Sequence, residues 1–141
     1  MASHSPHALT FQTFLHGVTP DHLQGFFEGW PHPPRPDTHL KILRGSQARA
    51  LARLPGGQVV GFVTALSDGV LSAYLPLLEV LPEWRGQGVA SRLVELVITA
   101  LGDLYMIDSA CDDELVPFYE RLGMVRGNAM IRRKDSRQNG R

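Results

Sequence analysis

The feature that most constrains this chain is an abrupt change of hydrophobic period at a short glycine turn, residues 85–88. Before the turn, residues 70–81 predict a strand, and after it apolar side chains recur with a helical period over 89–101. A further strand is predicted over 104–110. Because a strand–helix–strand connection is a crossover, the strands on either side of the helix are expected to be parallel neighbours or near neighbours.

Three strands joined by turn signals lead into this unit, and they predict an antiparallel meander. They span 48–54, 58–66 and 70–81, and the Asp68-Gly69 pair between the last two is a hairpin signal. The other predicted elements are a strand over 9–15, a helix from Thr19 to about Phe27, a short helix from Asp37 or Thr38 to near Gly45, a helix over 112–122 and a final strand region over 124–133. The predicted fold class is α+β (mixed α/β), with about six or seven strands and four helices.

Length and composition predict a single domain with no net charge that would favour a strongly charged partner. The 141 residues correspond to a domain over 9–133 with disordered tails over 1–8 and 134–141. Fourteen basic and fourteen acidic residues cancel, which disfavours a nucleic-acid or anionic-membrane partner. No apolar run approaches the ~20 residues that a bilayer requires, so a cytoplasmic location is expected.

Cysteine and histidine usage argues against metal chemistry. A single cysteine, Cys111, excludes an internal disulfide and a multi-cysteine zinc site, and the six histidines lack zinc-protease spacing. No metal is therefore expected. Since no histidine lies near Cys111 in sequence, this cysteine is expected to be a small buried apolar residue rather than a nucleophile.

The glycine turn carries the clearest chemical signal. A helix N-terminus has unpaired amides and the positive end of the helix dipole, and Gly86 and Gly88 allow an anion to approach the backbone closely. Arg85 can add a charge-assisted contact. A P-loop is excluded because no Gly-Lys-Ser/Thr follows, and a dinucleotide fingerprint because the third glycine is missing and too little chain remains. Two interpretations of the turn therefore remain: a site that binds a phosphate or pyrophosphate, and a glycine turn that binds no ligand.

Two motifs resemble those of the GNAT superfamily of acyl-coenzyme A-dependent N-acetyltransferases. Arg85-Gly86-Gln87-Gly88-Val89-Ala90 fits the family signature Arg/Gln-x-x-Gly-x-Gly/Ala. Phe118-Tyr119-Glu120-Arg121-Leu122-Gly123-Met124 resembles the family's Tyr-x-x-x-Gly-Phe segment, with methionine in place of phenylalanine. The predicted order of elements over 9–133 is also similar to the family's order.

The resemblance implies how the coenzyme is held. The strand before the turn splays from its parallel neighbour, the pantetheine arm pairs with its free edge, and the pyrophosphate lies on the amides of the turn. Acetyl-CoA is then the co-substrate, and the implied coenzyme-binding residues are Leu78, Glu79, Val80, Arg85, Gly86, Gln87, Gly88, Val89, Ala90 and Ser91. The amide of Val80 is also placed by this analogy to polarise the thioester carbonyl.

Candidate catalytic residues follow from the resemblance and from the chemistry of acyl transfer. Tyr119 is the candidate general acid, since the family's equivalent tyrosine lies near the coenzyme sulfur and a phenol suits a thiolate leaving group. Glu79 interrupts an apolar strand, which predicts either a base acting through water or a rim residue pointing outwards. Asp108 is a weaker alternative base.

The acceptor side gives less information. The predicted acceptor contacts are Phe27, Trp30 and His32, in a segment whose aromatic and proline residues suit a small amine with an apolar part. A peptide amine also remains open, as does a homodimer, which is frequent in the family. The sequence predicts an N-acetyltransferase that acts by direct attack of a primary amine on acetyl-CoA. The alternatives are a non-catalytic acyl-CoA-binding sensor or subunit, and a nucleic-acid-associated protein that uses Arg132-Arg133-Lys134.

Overall fold

The computed structural model describes residues 8–141, so most of the predicted N-terminal tail, residues 1–7, lies outside the described residues. The six strands in this part of the chain are β1 (Thr10–Gln12), β2 (Ala48–Arg53), β3 (Val59–Ser67), β4 (Ser72–Tyr74), β5 (Leu78–Val80) and β6 (Met106–Asp108). Its three α-helices are α1 (Pro36–Gly45), α2 (Val89–Leu101) and α3 (Val116–Arg121). Short 3-10 turns at Pro20–His22, Pro82–Trp84, Asp113–Leu115 and Asp135–Arg137 complete the regular structure described.

The strands form one mixed sheet, in the order β1-β2-β3-β4-β6 with β5 paired to β3. All pairs are antiparallel except β4 and β6, which are parallel. The predicted α+β class, an antiparallel meander joined to a βαβ unit, is therefore confirmed. The helix count is three rather than four.

The continuous strand predicted over 70–81 is wrong, because the chain forms two short strands on either side of Pro76. β4 lies between β3 and β6, whereas β5 pairs with β3 alone among the described strands. The last contacts between the parallel strands are at Leu75, whose N–H donates to the Asp108 carbonyl at 2.9 Å. The Ser109 hydroxyl donates to the Leu75 carbonyl at 3.0 Å. Beyond these bonds the two strands part, as predicted.

The sheet has a helical layer on each face. α2 packs its buried Val89, Leu93, Val94 and Val97 against β2 and β3. Gly61 permits this approach, since a Cβ there would lie 3.0 Å from a Leu93 methyl group. On the opposite face α1 and the segment before it cover Phe62.

Three other predicted elements are corrected by the structure. The helix predicted from Thr19 is only the 3-10 turn at Pro20–His22, because Gly25 and Phe27 take positive φ values of 91° and 65°. The helix predicted over 112–122 is interrupted: a 3-10 turn is followed by α3, a separate α-helix with a proline in its first turn.

The final strand predicted over 124–133 does not form. The N–H of Met124 donates to the Tyr119 carbonyl at 3.1 Å, at the end of α3. The residues that follow do not pair with β6. Val125 and Met130 are exposed as a result.

The last residues contact the loop before α1. The His32 N–H donates to the side-chain oxygen of Gln138 at 2.8 Å. The Arg141 guanidinium lies 3.5 Å from the Asp37 carboxylate. The limits of the domain and of its tails, 1–8, 9–133 and 134–141, stay a prediction.

Candidate active site

The turn before α2 presents free main-chain N–H groups. Gly86 and Gly88 have φ values of 73° and 81°, a conformation that side chains rarely permit, and Gly88 is the N-cap of α2. No side chain caps this helix, and a Cβ placed at either glycine would meet nothing within 4 Å. The first main-chain donor of the helix with a carbonyl partner is Arg92, which bonds Gly88 at 3.2 Å. The preceding N–H groups, Val89 to Ser91, have no main-chain partner within the described residues and suit an anion.

A cleft of about 730 Å³ runs from this turn along the free edge of β5. Its walls come from β5, from the start of α2 and from the segment leading into α3, and they include Leu78, Glu79, Val80, Arg85, Ala90, Asp112, Leu115 and Phe118. The N–H of Leu81 donates to Val60 and the carbonyl of Leu77 accepts from Thr64, so odd-numbered residues of β5 bond to β3. By alternation the backbone groups of Leu78 and Val80 point away from β3, towards the cleft.

Arg85 ties the cleft wall to the loop before α1. Its Nε donates to the Val80 carbonyl at 2.8 Å, and its terminal nitrogen lies 3.0 Å from the Glu28 carboxylate. The Val80 carbonyl is therefore already paired, which leaves the N–H groups of Leu78 and Val80 and the Leu78 carbonyl free for a ligand. The predicted contact of Arg85 with a pyrophosphate stays a prediction.

Glu79 is half-buried and lines the cleft, while its carboxylate fixes the backbone of Phe27. Both carboxylate oxygens accept the Phe27 N–H, each at 2.9 Å. Burial raises the pKa of Glu79 above its ordinary value, against the opposing hydrogen bonds from the Phe27 and Glu28 backbone and the charge of Arg85. Phe27 is the single non-glycine residue with a positive φ among those described, so this carboxylate stabilises a strained turn.

Tyr119 is buried beside the point where the strands part. Burial raises the pKa of its phenol, and a hydrogen bond with Ser109 opposes this effect. Ser109 in turn donates to Leu75, which belongs to the last contact between the parallel strands. Tyr119 lines a neighbouring cavity of about 250 Å³ together with Cys111, which is exposed rather than buried as expected. No hydrogen bond joins Tyr119 to Glu79 in the described part of the chain.

The three predicted acceptor contacts lie in different environments. The Phe27 ring is buried in the core, 4.9 Å from the Trp30 ring, so Phe27 supports Trp30 from behind. Trp30 is partly exposed and lines a cavity next to Tyr74. His32 is exposed, and its backbone holds Gln138. Asp108, the alternative base, lines a separate cavity away from Glu79.

Sequence reasoning missed Ser109 and Tyr74. Both take their place from the parallel pairing of β4 with β6, in which Tyr74 lies opposite Asp108. Since the sequence predicts one long strand over 70–81, it gives no signal for this register.

No three His, Cys, Asp or Glu side chains within residues 8–141 are grouped so that they could hold a metal ion. None of the helices there combines the length and the apolar character that crossing a membrane requires.

Comparisons with known proteins agree with this geometry. A structure described as a candidate acetyltransferase, from Deinococcus radiodurans R1, is 55% identical, has a TM-score of 0.97 and matches 99% of this chain and 97% of that one. A GNAT-family acetyltransferase from Streptococcus pneumoniae TIGR4 shares the fold, with 24% identity, a TM-score of 0.69 and coverage of 89% of this chain and 99% of that one.

Sequence comparisons point to the same family. A stretch of 68 residues, 47% of this chain, is 35% identical to GCN5-related N-acetyltransferase 2, chloroplastic, of Arabidopsis thaliana. The match spans only 26% of that curated relative. Residues 15–124 match the sequence model of the acetyltransferase (GNAT) family. The chain therefore belongs to the GNAT acetyltransferase family.

Proposed function

We propose that this chain is an acyl-CoA N-acyltransferase that transfers an acetyl group from acetyl-CoA to a primary amine by direct attack. The observation that carries the proposal is the row of free N–H groups at the start of α2, opening on a cleft beside the unpaired edge of β5. A diphosphate suits such a helix N-terminus, and an extended ligand arm suits a free strand edge. Membership of the GNAT family supports the same function.

The coenzyme is held by the turn and by β5. The amides from Gly86 to Ser91 bind the pyrophosphate, and the edge groups of Leu78 and Val80 pair with the pantetheine arm. Acetyl-CoA supplies an activated acyl group as a thioester, which the amine attacks at carbon while the thiolate leaves. The Val80 N–H, turned away from β3, donates to the thioester carbonyl.

Glu79 acts as the base through a water molecule. An amine must be neutral to attack, and a half-buried carboxylate with a raised pKa is a better proton acceptor than an exposed one. Its oxygens already accept the Phe27 N–H, but each carboxylate has about four lone-pair sites, so capacity for a water remains.

Tyr119 acts as the general acid for the leaving thiolate. Its pKa lies above the ordinary value of a phenol, so Tyr119 is protonated at neutral pH and has a proton to give. Ser109 fixes the phenol at the point where the strands part. The acceptor, a small primary amine or a peptide amine, approaches from the side of Trp30 and His32.

The test is coenzyme release over a panel of amines, with acetyl-CoA affinity measured alongside. Tyr119→Phe is expected to slow release by about 10²–10⁴-fold, as expected for loss of a general acid, with the acetyl-CoA Kd unchanged. Tyr105→Phe is the matched control, because that tyrosine is exposed at the surface.

Two outcomes would contradict parts of the proposal. Release by Tyr119→Phe at the wild-type rate would remove Tyr119 as the acid. A wild-type protein that binds acetyl-CoA but releases no coenzyme with any amine would favour the alternative, a non-catalytic acyl-CoA-binding sensor or subunit.

A further inference from the structure

A cavity of about 440 Å³ lies between the C-terminal residues and the segment that joins β4 to β5. Four cationic side chains line it, namely those of Arg132, Arg133, Lys134 and Arg137. Trp30 and Tyr74 form an aromatic wall of the same cavity. The chain as a whole is neutral, so this concentration of positive charge is local.

Within the described residues, none of the four cations has a carboxylate partner. Asp135 is the one acidic residue among those lining the cavity, and no ion pair within 4 Å involves any of the four in residues 8–141. By contrast, Arg85 is paired with Glu28 and Arg126 with Asp113. Unpaired guanidinium groups around a concave site favour an anion, which they can hold with two hydrogen bonds each.

The cationic wall is anchored to the rest of the molecule. Gln138 accepts the His32 N–H at 2.8 Å, and Arg141 lies 3.5 Å from Asp37 at the start of α1. These two contacts hold the C-terminal residues across from Trp30. The cations therefore line a defined cavity while remaining exposed to solvent.

The aromatic wall leads to both proposed catalytic groups. The Trp30 ring lies 4.9 Å from the Phe27 ring, and the Phe27 N–H is bound by Glu79. On the other side, Tyr74 lies opposite Asp108 of β6 and precedes Leu75, whose carbonyl accepts the Ser109 hydroxyl. The cavity is thus connected through Trp30 and Phe27 to the proposed base, and through Tyr74 to the strand ends beside the proposed acid.

We propose that this cavity is the acceptor site, and that the acceptor is a primary amine bearing a carboxylate or phosphate group. The anion is bound by the cations of residues 132–137, and the apolar part of the acceptor rests on Trp30 and Tyr74. This inference rests on the proposed function and narrows its substrate class. The reaction is the same acyl transfer, with no additional co-reactant.

The experiment compares matched amines with and without an anionic group, and each kcat/KM is referred to the neutral amine because the anion also changes the pKa of the amine. Phenylalanine is paired with phenylalaninamide, and O-phosphoethanolamine with ethanolamine. Coenzyme release gives kcat/KM for each, and calorimetry in the presence of coenzyme A gives the affinity of each amine directly. The anionic member of at least one pair is expected to have a kcat/KM and an affinity at least about tenfold higher, as one charge-assisted contact supplies. The advantage should shrink as salt is raised.

A double variant tests the cationic wall. Arg133→Gln/Lys134→Gln should abolish the preference for the anionic amine, while Lys41→Gln/Arg44→Gln, which removes two exposed cations of α1, should retain it. The pair that shows the preference identifies the anion as carboxylate or phosphate.

Failure of this inference differs from failure of the proposed function. Coenzyme release without preference for either anionic amine would overturn the inference and leave the acyltransferase in place. Without any release, calorimetry decides: anionic amines that bind the wild type but not the double variant support the site, and absence of binding overturns it. Tighter, salt-sensitive binding of a DNA oligonucleotide at the same cations would also overturn it.

Discussion

His39 on α1 is buried among aromatic rings, and its neutral form should make stability depend on pH. Its side chain is 1% exposed, and neither ring nitrogen has a hydrogen-bond partner within the described residues. The rings of Phe62, Phe27 and Phe26 lie 4.3, 5.0 and 5.3 Å from the imidazole. Burial lowers the pKa of His39 from 6.5 to about 4, because the charged form cannot be solvated there.

The two pKa values fix the sign and size of the effect. Between pH 6.5 and about 4 the unfolded chain binds a proton at this site and the folded chain does not, so stability falls as pH falls through that window. From these values the free energy of unfolding should drop by about 2 kcal/mol between pH 7.5 and pH 5, approaching about 3 kcal/mol below pH 4. The raised pKa of Glu79 acts in the opposite direction, which is why a matched variant is needed.

Urea unfolding of wild type, His39→Leu and His16→Gln at pH 7.5, 6 and 5 measures this contribution. His39→Leu removes the buried imidazole and should lose about 2 kcal/mol less than wild type over this range. His16→Gln removes an exposed histidine and should behave like wild type. If His39→Leu and wild type lost stability in parallel, the imidazole would be solvated or paired, and the argument from burial would fail.

Three further predictions follow from the cleft and the sheet. Glu79→Gln should lower kcat and remove its rise with pH through the raised pKa of Glu79, and an unchanged pH profile would exclude this residue as the base. Gly88 and Gly69 have φ values of 81° and 76°, so replacing either by alanine should lower the free energy of unfolding in urea by about 1–2 kcal/mol. Of the two variants, only Gly88→Ala should weaken acetyl-CoA binding. If both variants bound acetyl-CoA equally well, the anion site at the start of α2 would be contradicted. Hydrogen bonds from the backbone N–H groups of residues 70–72 lower the pKa of Asp68 to about 2. The stabilisation that the ionised Asp68 provides is therefore lost as pH falls from 3.8 towards 2. In urea unfolding at acid pH, Asp68→Asn should lack this loss of stability.

Elements with local determinants were predictable from the sequence. α2 spans the predicted residues 89–101, because its apolar period is clear and Gly88 and Gly102 bound it. The helix expected after Thr19 fails where Gly25 and Phe27 take positive φ, and part of the cause lies outside this segment, because the Phe27 N–H bonds to a carboxylate 52 positions away. Propensity over a short window carries no information about such a partner.

The candidate site likewise combines features set by local sequence, which were predictable, with features set by distant residues, which were not. The turn at 85–88 and its free amides could be predicted, since glycine spacing and a helix start are local features. The cationic wall of the proposed acceptor cavity depends on a hydrogen bond between His32 and Gln138, 106 positions apart, and Gln138 was expected to lie in a disordered tail. The role of Ser109 likewise depends on β4 lying next to β6.

The bond between Glu79 and Phe27 gives the proposed base a second consequence. When Glu79 takes the proton of the attacking amine, its carboxylate becomes a neutral carboxylic acid. Because hydrogen bonds to ionised acceptors are roughly twice as strong as those to neutral ones, its hydrogen bond with the Phe27 N–H becomes weaker. The clamp on the strained Phe27 turn therefore loosens in the step that acylates the amine. Because Phe27 supports Trp30, this loosening reaches the proposed acceptor site, from which the product departs.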